Sequence, residues 1–197
     1  MTSLGAGPTV ATSRLVLRPF NDMDRTAFFE LNTHPQVVEL LGSSSGRAES
    51  DAMIDRFSDE MTREGWGFWA VEVAGGAPFI GMVGLHRMAP SMPIAPGIEI
   101  GWRLHPDHWS HGYATEAAKA SLAYGFDQAG LNEIVAFTTT VNARSRAVMS
   151  RIGMVRDVDG DFDHPLLPEG SPLRRHVLYR ISTPSSSSSQ ATPSVAP

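Results

Sequence analysis

Hydrophobic positions along the chain alternate between two spacings, and the switches between them mark out its elements. Residues 14–20 have the period of two of a strand. Asn21, with Asp22 and Asp24 close behind, is a helix cap with acids in the first turn, and Ala27, Phe28 and Leu31 share one side of the helix that follows. A short helical piece over 36–41 is stopped by Gly42, and Ser43 to Gly46 is a flexible connection. In a third helix Met53, Ile54, Phe57 and Met61 form a core-facing stripe. Residues 67–73 and 79–85 are apolar strands joined by a Gly/Pro turn, hence an antiparallel hairpin. After a loop at 88–96, residues 97–104 set Ile98, Ile100, Trp102 and Leu104 against Glu99, Gly101 and Arg103, a strand with one apolar and one polar face. It pairs most simply with the hairpin as a central antiparallel meander.

The helix predicted at 113–128 turns Ala117, Ala118, Ser121, Leu122 and Phe126 inwards, and its small residues let it lie close to a sheet. A β-branched strand follows at 131–140, and the strand–helix–strand unit requires a right-handed crossover if its strands are parallel. Asn142 caps a helix running to Arg151 with Val148 and Ile152 facing the core, Gly153 ends it, and a strand opens at Met154. The acidic stretch 157–169 reads as a loop and 174–181 as the last strand. Residues 1–12 are small and polar, so they are expected to be a flexible tail, with structure beginning near Ser13 and the domain spanning 13–182. The Ser/Pro-rich residues 183–197 are expected to be disordered.

Composition narrows the function more than the fold. A length of 197 residues suits one domain. The net charge of −5, with scattered basic residues, argues against nucleic acid as the partner. No apolar run approaches the ~20 residues of a membrane span, and the first residues lack a basic and apolar signal pattern, so a cytoplasmic location is expected. Cys is absent, which excludes thiolate metal sites and a covalent Cys intermediate.

The chemistry concentrates where the polar-faced strand runs into the helix at 113. Gly112 stands at a loop-to-helix turn, where unpaired backbone N–H groups and the positive end of the helix dipole make an anion site, and phosphate is the usual anion. A phosphorylated cofactor is the natural occupant. A P-loop is excluded by the lack of Gly-Lys-Ser/Thr after the turn. His105, His108 and His111 fall at metal-like intervals, but the intervening turn spoils their register and no carboxylate completes the set, so no metal is expected.

The run Trp109-Ser-His-Gly-Tyr-Ala-Thr-Glu-Ala117, followed by Asn142-Ala-Arg-Ser-Arg-Ala-Val-Met-Ser-Arg-Ile-Gly-Met154, resembles the GNAT superfamily of acetyl-CoA-dependent N-acetyltransferases. Within it the chain is most similar to the branch acting on ribosomal-protein N-termini (alanine). The resemblance implies an α+β GNAT acyltransferase fold. Its mixed, mostly antiparallel sheet has about six to seven strands, helices on both faces and a splayed parallel pair. It implies that Trp109, Ser110, His111, Gly112, Tyr113, Ala114 and Thr115 form the pyrophosphate loop, Trp109 replacing the family's usual Gln or Arg as is usual in that branch. The backbone of Trp102, Arg103 and Leu104 would pair with the pantetheine arm, beside Asn142 and Ser145.

The Tyr that commonly protonates the thiolate is replaced by Met149, and the branch places a Ser three residues after the capping Asn, so Ser145 is the implied thiolate donor. The plainer role for Ser145 is a local first-turn backbone bond. Glu99 is the implied base, with a solvated or Arg103-paired strand residue as its plainer role. His164 and His176 lie in the region that covers acceptor sites in this family. Trp66 and Trp69 could line an acceptor pocket, with the hairpin core as the plainer home. The implied reaction moves acetyl from acetyl-CoA directly to a primary amine, a protein N-terminus or a small molecule, by a monomer or homodimer that needs no nucleic acid, membrane or metal. The alternative is a non-catalytic acyl-CoA-binding sensor, which the Met at 149 favours.

Overall fold

The computed structural model describes residues 6–183, so most of the stretch expected to be disordered, 184–197, lies outside the described residues, as do residues 1–5. In chain order the elements are β1 (Val10–Ala11), β2 (Leu15–Arg18), α1 (Asp24–Thr33), α2 (Pro35–Leu41), α3 (Arg47–Glu64), β3 (Phe68–Val73), β4 (Gly81–Arg87), β5 (Ile98–Leu104), α4 (Tyr113–Asp127), β6 (Glu133–Thr139), α5 (Ala143–Arg151), β7 (Val155–Asp163) and β8 (Arg175–Ser182). The strands form one mixed sheet in the order β1-β2-β3-β4-β5-β6-β8-β7. The meander is present: β3, β4 and β5 pair antiparallel in sequence. The fold is the expected α+β GNAT arrangement, with β1 as an eighth strand. Val10 and Ala11 pair with Leu17 and Val16, and the Trp69 indole N–H donates to Pro8 O at 2.9 Å, so regular structure starts before Ser13.

Helices cover both faces because the strands are apolar on both. On one side α4 and α5 pack onto Leu85, Ile100, Ile134 and Ala136; on the other α1 and α3 bring Phe28, Leu31, Ile54 and Phe57 onto Phe68, Ala70 and Met82. Each such fully buried Leu, Ile or Phe contributes on the order of 1.5–3 kcal/mol relative to exposure. The close approach of α4 expected from its small residues is seen at Gly125, where a Cβ would lie 2.8 Å from Leu85 Cδ1.

The acidic stretch is not all loop. Residues 155–163 form β7, with a register shift between Asp157 and Phe162. Three of its four carboxylates are paired: Asp157 with Arg180 at 2.7 Å, Asp161 with Arg156, and Asp163 with Arg175 at 3.4 Å. Pairing removes the like-charge repulsion that makes such a run look unsuited to a strand.

β5 and β6 are the parallel pair, joined in register only at Glu99 and Val135. Beyond Glu99 the two strands part. One edge of β5 from Ile100 to Leu104 therefore has no strand partner, and this splay opens the site.

Candidate active site

Two cavities meet along the open edge of β5. The first, about 620 Å3, runs from Trp102, Arg103 and Leu104 past Trp109, Ser110, Gly112, Tyr113 and Ala114 to the start of α5. The second, about 530 Å3, lies over Glu99 and Gly101 and is closed by Phe68, Met149, Phe137, His164 and His176. Trp102, Arg103, Asn142 and Ser145 line both.

At the first cavity the chain leaves β5, makes a 3-10 turn at Pro106–His108, and enters α4 through two residues with positive φ, Ser110 at 64° and Gly112 at 80°. Glycine takes the second at no cost, while Ser110 carries local strain of the kind that collects at binding sites. Among the described residues no protein acceptor is found for the backbone N–H groups of Ser110 through Thr115; the helix's own bonding begins with Glu116 N–H to Gly112 O at 3.0 Å. These donors at the positive end of a helix are an anion cradle.

Trp109 ties the cradle to its surroundings. Its indole N–H donates to Leu104 O at 2.7 Å, and the Arg144 guanidinium lies 4.5 Å from its ring centroid. Arg144 and Arg151 also line this cavity and bring positive charge to it. His111 and Thr115, expected at the loop, lie outside the cavity lining; the His111 ring stacks on Tyr113 and its Nδ1 sits 2.8 Å from Trp109 O. The loop is braced from behind by Arg14, which bonds His111 O at 3.0 Å and pairs with Glu116. Burial pushes the Glu116 carboxyl up, but hydrogen bonds from Thr12 and Arg14 outweigh it and hold the group below its usual range.

At the junction of the cavities Asn142 is the N-cap of α5, its Oδ1 accepting from Ser145 N–H at 3.1 Å. The Ser145 hydroxyl has no protein hydrogen bond among the described residues, unlike Ser150 on the same helix, whose Oγ donates to Arg146 O at 3.1 Å. The local backbone bond is thus not made, and the hydroxyl stays available to either cavity. Met149, one helical turn on, is buried and lines the second cavity.

Glu99 lies in the second cavity without a protein hydrogen bond among the described residues, and its pairing with Arg103 is not formed. Burial pushes its carboxyl up to about 7, offset in part by the charge of His86. His86 stands directly across from Glu99 on β4, and its Nδ1 is 2.9 Å from Glu60, a buried carboxylate on α3. Burial is the largest influence and raises Glu60, but the bond to His86, its charge and the Arg87 backbone N–H together outweigh it, so Glu60 sits below its usual range. His164 and His176, with ring centroids 5.0 Å apart, are both pulled below the usual His range by burial. Both are thereby biased toward the neutral imidazole.

Trp66 and Trp69 do not line the second cavity. Trp69 is fully buried in the sheet core against Tyr124, and Trp66 packs in the same cluster under Arg87. Phe68 lines it instead, because alternation along β3 sends Phe68 and Trp69 to opposite faces.

Sequence reasoning also missed Arg14, Arg144 and Arg151. The last two recur at i and i+7 on α5, a spacing that puts them on one face, but only the fold sets that face against Trp109.

The acetyltransferase (GNAT) domain model matches residues 14–155. The chain is 28% identical to the uncharacterized N-acetyltransferase YoaA of Bacillus subtilis, over 90% of this chain and 98% of the relative. It is also 28% identical to the FsC-acetyl coenzyme A-N(2)-transacetylase of Aspergillus fumigatus, over 98% of this chain and 88% of the relative. A solved acetyltransferase from Agrobacterium tumefaciens superposes with a TM-score of 0.72 at 27% identity, over 89% of this chain and 95% of that one.

Proposed function

Because the chain belongs to the GNAT acetyltransferase family, we propose that its two cavities take acetyl-CoA and a primary amine together and that acetyl passes directly between them. It is an acetyl-CoA-dependent acetyltransferase. The observation that carries the ternary reading is the shared boundary, where Ser145, its hydroxyl without a protein hydrogen bond among the described residues, lines the cofactor cavity and the acceptor cavity at once. The residues fit the cofactor: six N–H groups without a protein acceptor among the described residues and two nearby arginines suit a pyrophosphate, and the open edge of β5 suits an amide-bearing arm. The Ser110 to Thr115 backbone, the backbone of Trp102 to Leu104, and Asn142 would hold it. Bound there, acetyl-CoA supplies a thioester carbonyl and a thiol leaving group.

The amine must be neutral when it attacks, and an α-amine with a pKa near 8 loses its proton far more readily than a lysine. Glu99 accepts that proton, directly or through one water. Ser145 donates a hydrogen bond to the sulfur as negative charge develops on it. Trp109 at the loop and Ser145 three residues after Asn142 support the ribosomal N-terminal branch, and the acceptor is a protein N-terminus or a small amine. We assign this activity to the domain expected at 13–182, to which β1 adds Val10 and Ala11.

An acceptor panel of peptides with varied first residues and small amines, read by CoA release, tests the reading. The protein has no Cys, so a thiol reagent detects CoA alone. Amine-dependent CoA release is expected; acetyl-CoA binding without turnover across the panel would instead identify the sensor. Ser145→Ala is expected to lower kcat about tenfold with acetyl-CoA KM nearly unchanged, because the backbone contacts remain. Gly112→Val places a β-branched residue at a φ of 80°. Calorimetric titration should show acetyl-CoA affinity falling by about ten- to hundredfold, since a strain of ~1–3 kcal/mol displaces the cradle.

A further inference from the structure

The acceptor cavity holds one charge that the proposed reaction does not use. Arg103 stands on the polar face of β5 with Glu99 and Gly101, away from the face that carries α4, and its guanidinium has no carboxylate within 4.0 Å among the described residues. Its guanidinium bonds a neutral group instead: Nη1 donates to Asn32 Oδ1. Asn32 is itself buried and fixed, its Nδ2 donating to the buried Ser50 hydroxyl at 3.1 Å. The amide therefore cannot turn away, and it anchors one nitrogen of an arginine that lines both cavities.

Leaving a cation without a counter-ion in a closed site is costly unless something anionic arrives. Burial holds the Arg103 guanidinium down to about 10, and it stays charged at neutral pH. The rest of the lining does not supply an anion. Among its residues Glu99 and Arg103 are the only acidic or strongly basic side chains, and burial disfavours the charged form of the two histidines. A polycationic amine would meet one acid and one opposing cation. An amine with its own negative group would be matched at both ends.

Resting on the transferase reading above, we propose that the acceptor is a primary amine bearing a carboxylate, its nitrogen directed to Glu99 and its carboxylate bound by Arg103. Arg103 is then a specificity-determining residue. The carboxylate comes from a free amino acid or from an acidic side chain near a peptide N-terminus, and bidentate guanidinium–carboxylate geometry suits either.

The test compares matched acceptors: L-phenylalanine against L-phenylalaninamide, and Ala-Asp amide against Ala-Asn amide. For wild type, kcat/KM is expected to favour the carboxylate member of at least one pair by about ten- to hundredfold, and the pair that discriminates identifies the source. In Arg103→Met the preference falls to near one through a raised acceptor KM, and Arg103→Lys restores part of it. Equal loss on both members of each pair, or a rise confined to acetyl-CoA KM, would overturn the proposal. Intrinsic fluorescence of Trp102 and Trp109 gives a second readout, titrating the same four compounds without acetyl-CoA. Carboxylate-selective binding that Arg103→Met abolishes, with no turnover of any amine, would uphold the anion site and sink the transferase reading. Binding that ignores the carboxylate, alongside amine-dependent CoA release, would overturn the anion site and leave the transferase reading standing.

Discussion

Replacing Glu99 by Gln is expected to lower kcat by about 10²- to 10³-fold, the usual cost of losing a positioned base, while acetyl-CoA affinity stays within about twofold because its contacts are backbone groups elsewhere. The expectation rests on environment more than on residue type. A solvated carboxylate would be too weak a base for an amine, whereas burial brings Glu99 to about 7, near the operating range. Activity of the wild type should therefore rise as pH climbs through about 7, where Glu99 ionises, and this limb should vanish in Glu99→Gln.

The same burial has a thermodynamic sign. A carboxyl whose folded pKa lies above its unfolded value costs stability once it must ionise in place: nothing below about 4.5, progressively more up to about 7, and the full amount above. Glu99→Gln should therefore be more stable than wild type at pH 8, by on the order of 2 kcal/mol, and no more stable at pH 4. A variant nearly inactive yet harder to melt at pH 8 is the signature of a group kept for chemistry. If Glu99→Gln retained wild-type kcat and its pH limb, the proton would have to leave by another route, and His164 and His176 are the other titratable bases that line the cavity.

What could be read from the sequence was what a single element carries within itself. The two-faced alternation of β5, the glycine that lets the chain enter α4 and the cap at Asn142 are local patterns, and all three are found in place. What could not be read depends on which elements meet. Asp157, Asp161 and Asp163 look like a loop until arginines from β7 and β8 neutralise them. Arg144 is an unremarked helix residue until α5 is set against Trp109. Arg103 could pair with Glu99 on the same strand face; instead the fold offers it Asn32, from α1, whose partner Ser50 is on α3. The parting of β5 and β6 after a single register pair likewise has no local code. Alternation fixes which residues share a face, but not how far apart two strands are held.

Gly84→Ala is expected to destabilise the protein by at least about 3 kcal/mol, a loss of roughly 6–12 °C in Tm for a chain of this size. Gly84 faces Phe68 on β3 and Gly101 on β5. An ideally placed Cβ there would overlap Gly67 O and lie 2.6 Å from Phe68 Cα. Both are backbone atoms, so no rotamer relieves the clash, and Gly67 O is already engaged by Leu85 N–H at 3.0 Å. The added methyl must therefore push β3 off β4. Phe68, which rides on that contact, closes one side of the acceptor cavity, so acceptor KM should rise in whatever fraction stays folded.

Gly101→Ala is the control, one strand over in the same row. There the Cβ meets the Phe68 ring edge, 3.1 Å from Cζ, and a ring can tilt. Its stability cost should stay within about 1 kcal/mol, with the effect falling on acceptor binding as the cavity floor rises. Equal melting temperatures for wild type and Gly84→Ala would mean that β3 and β4 have slack the close approach denies. A large drop in the first variant and a small one in the second would show that the two glycines do different jobs: Gly84 lets the backbones meet, and Gly101 leaves room above β5 for the amine.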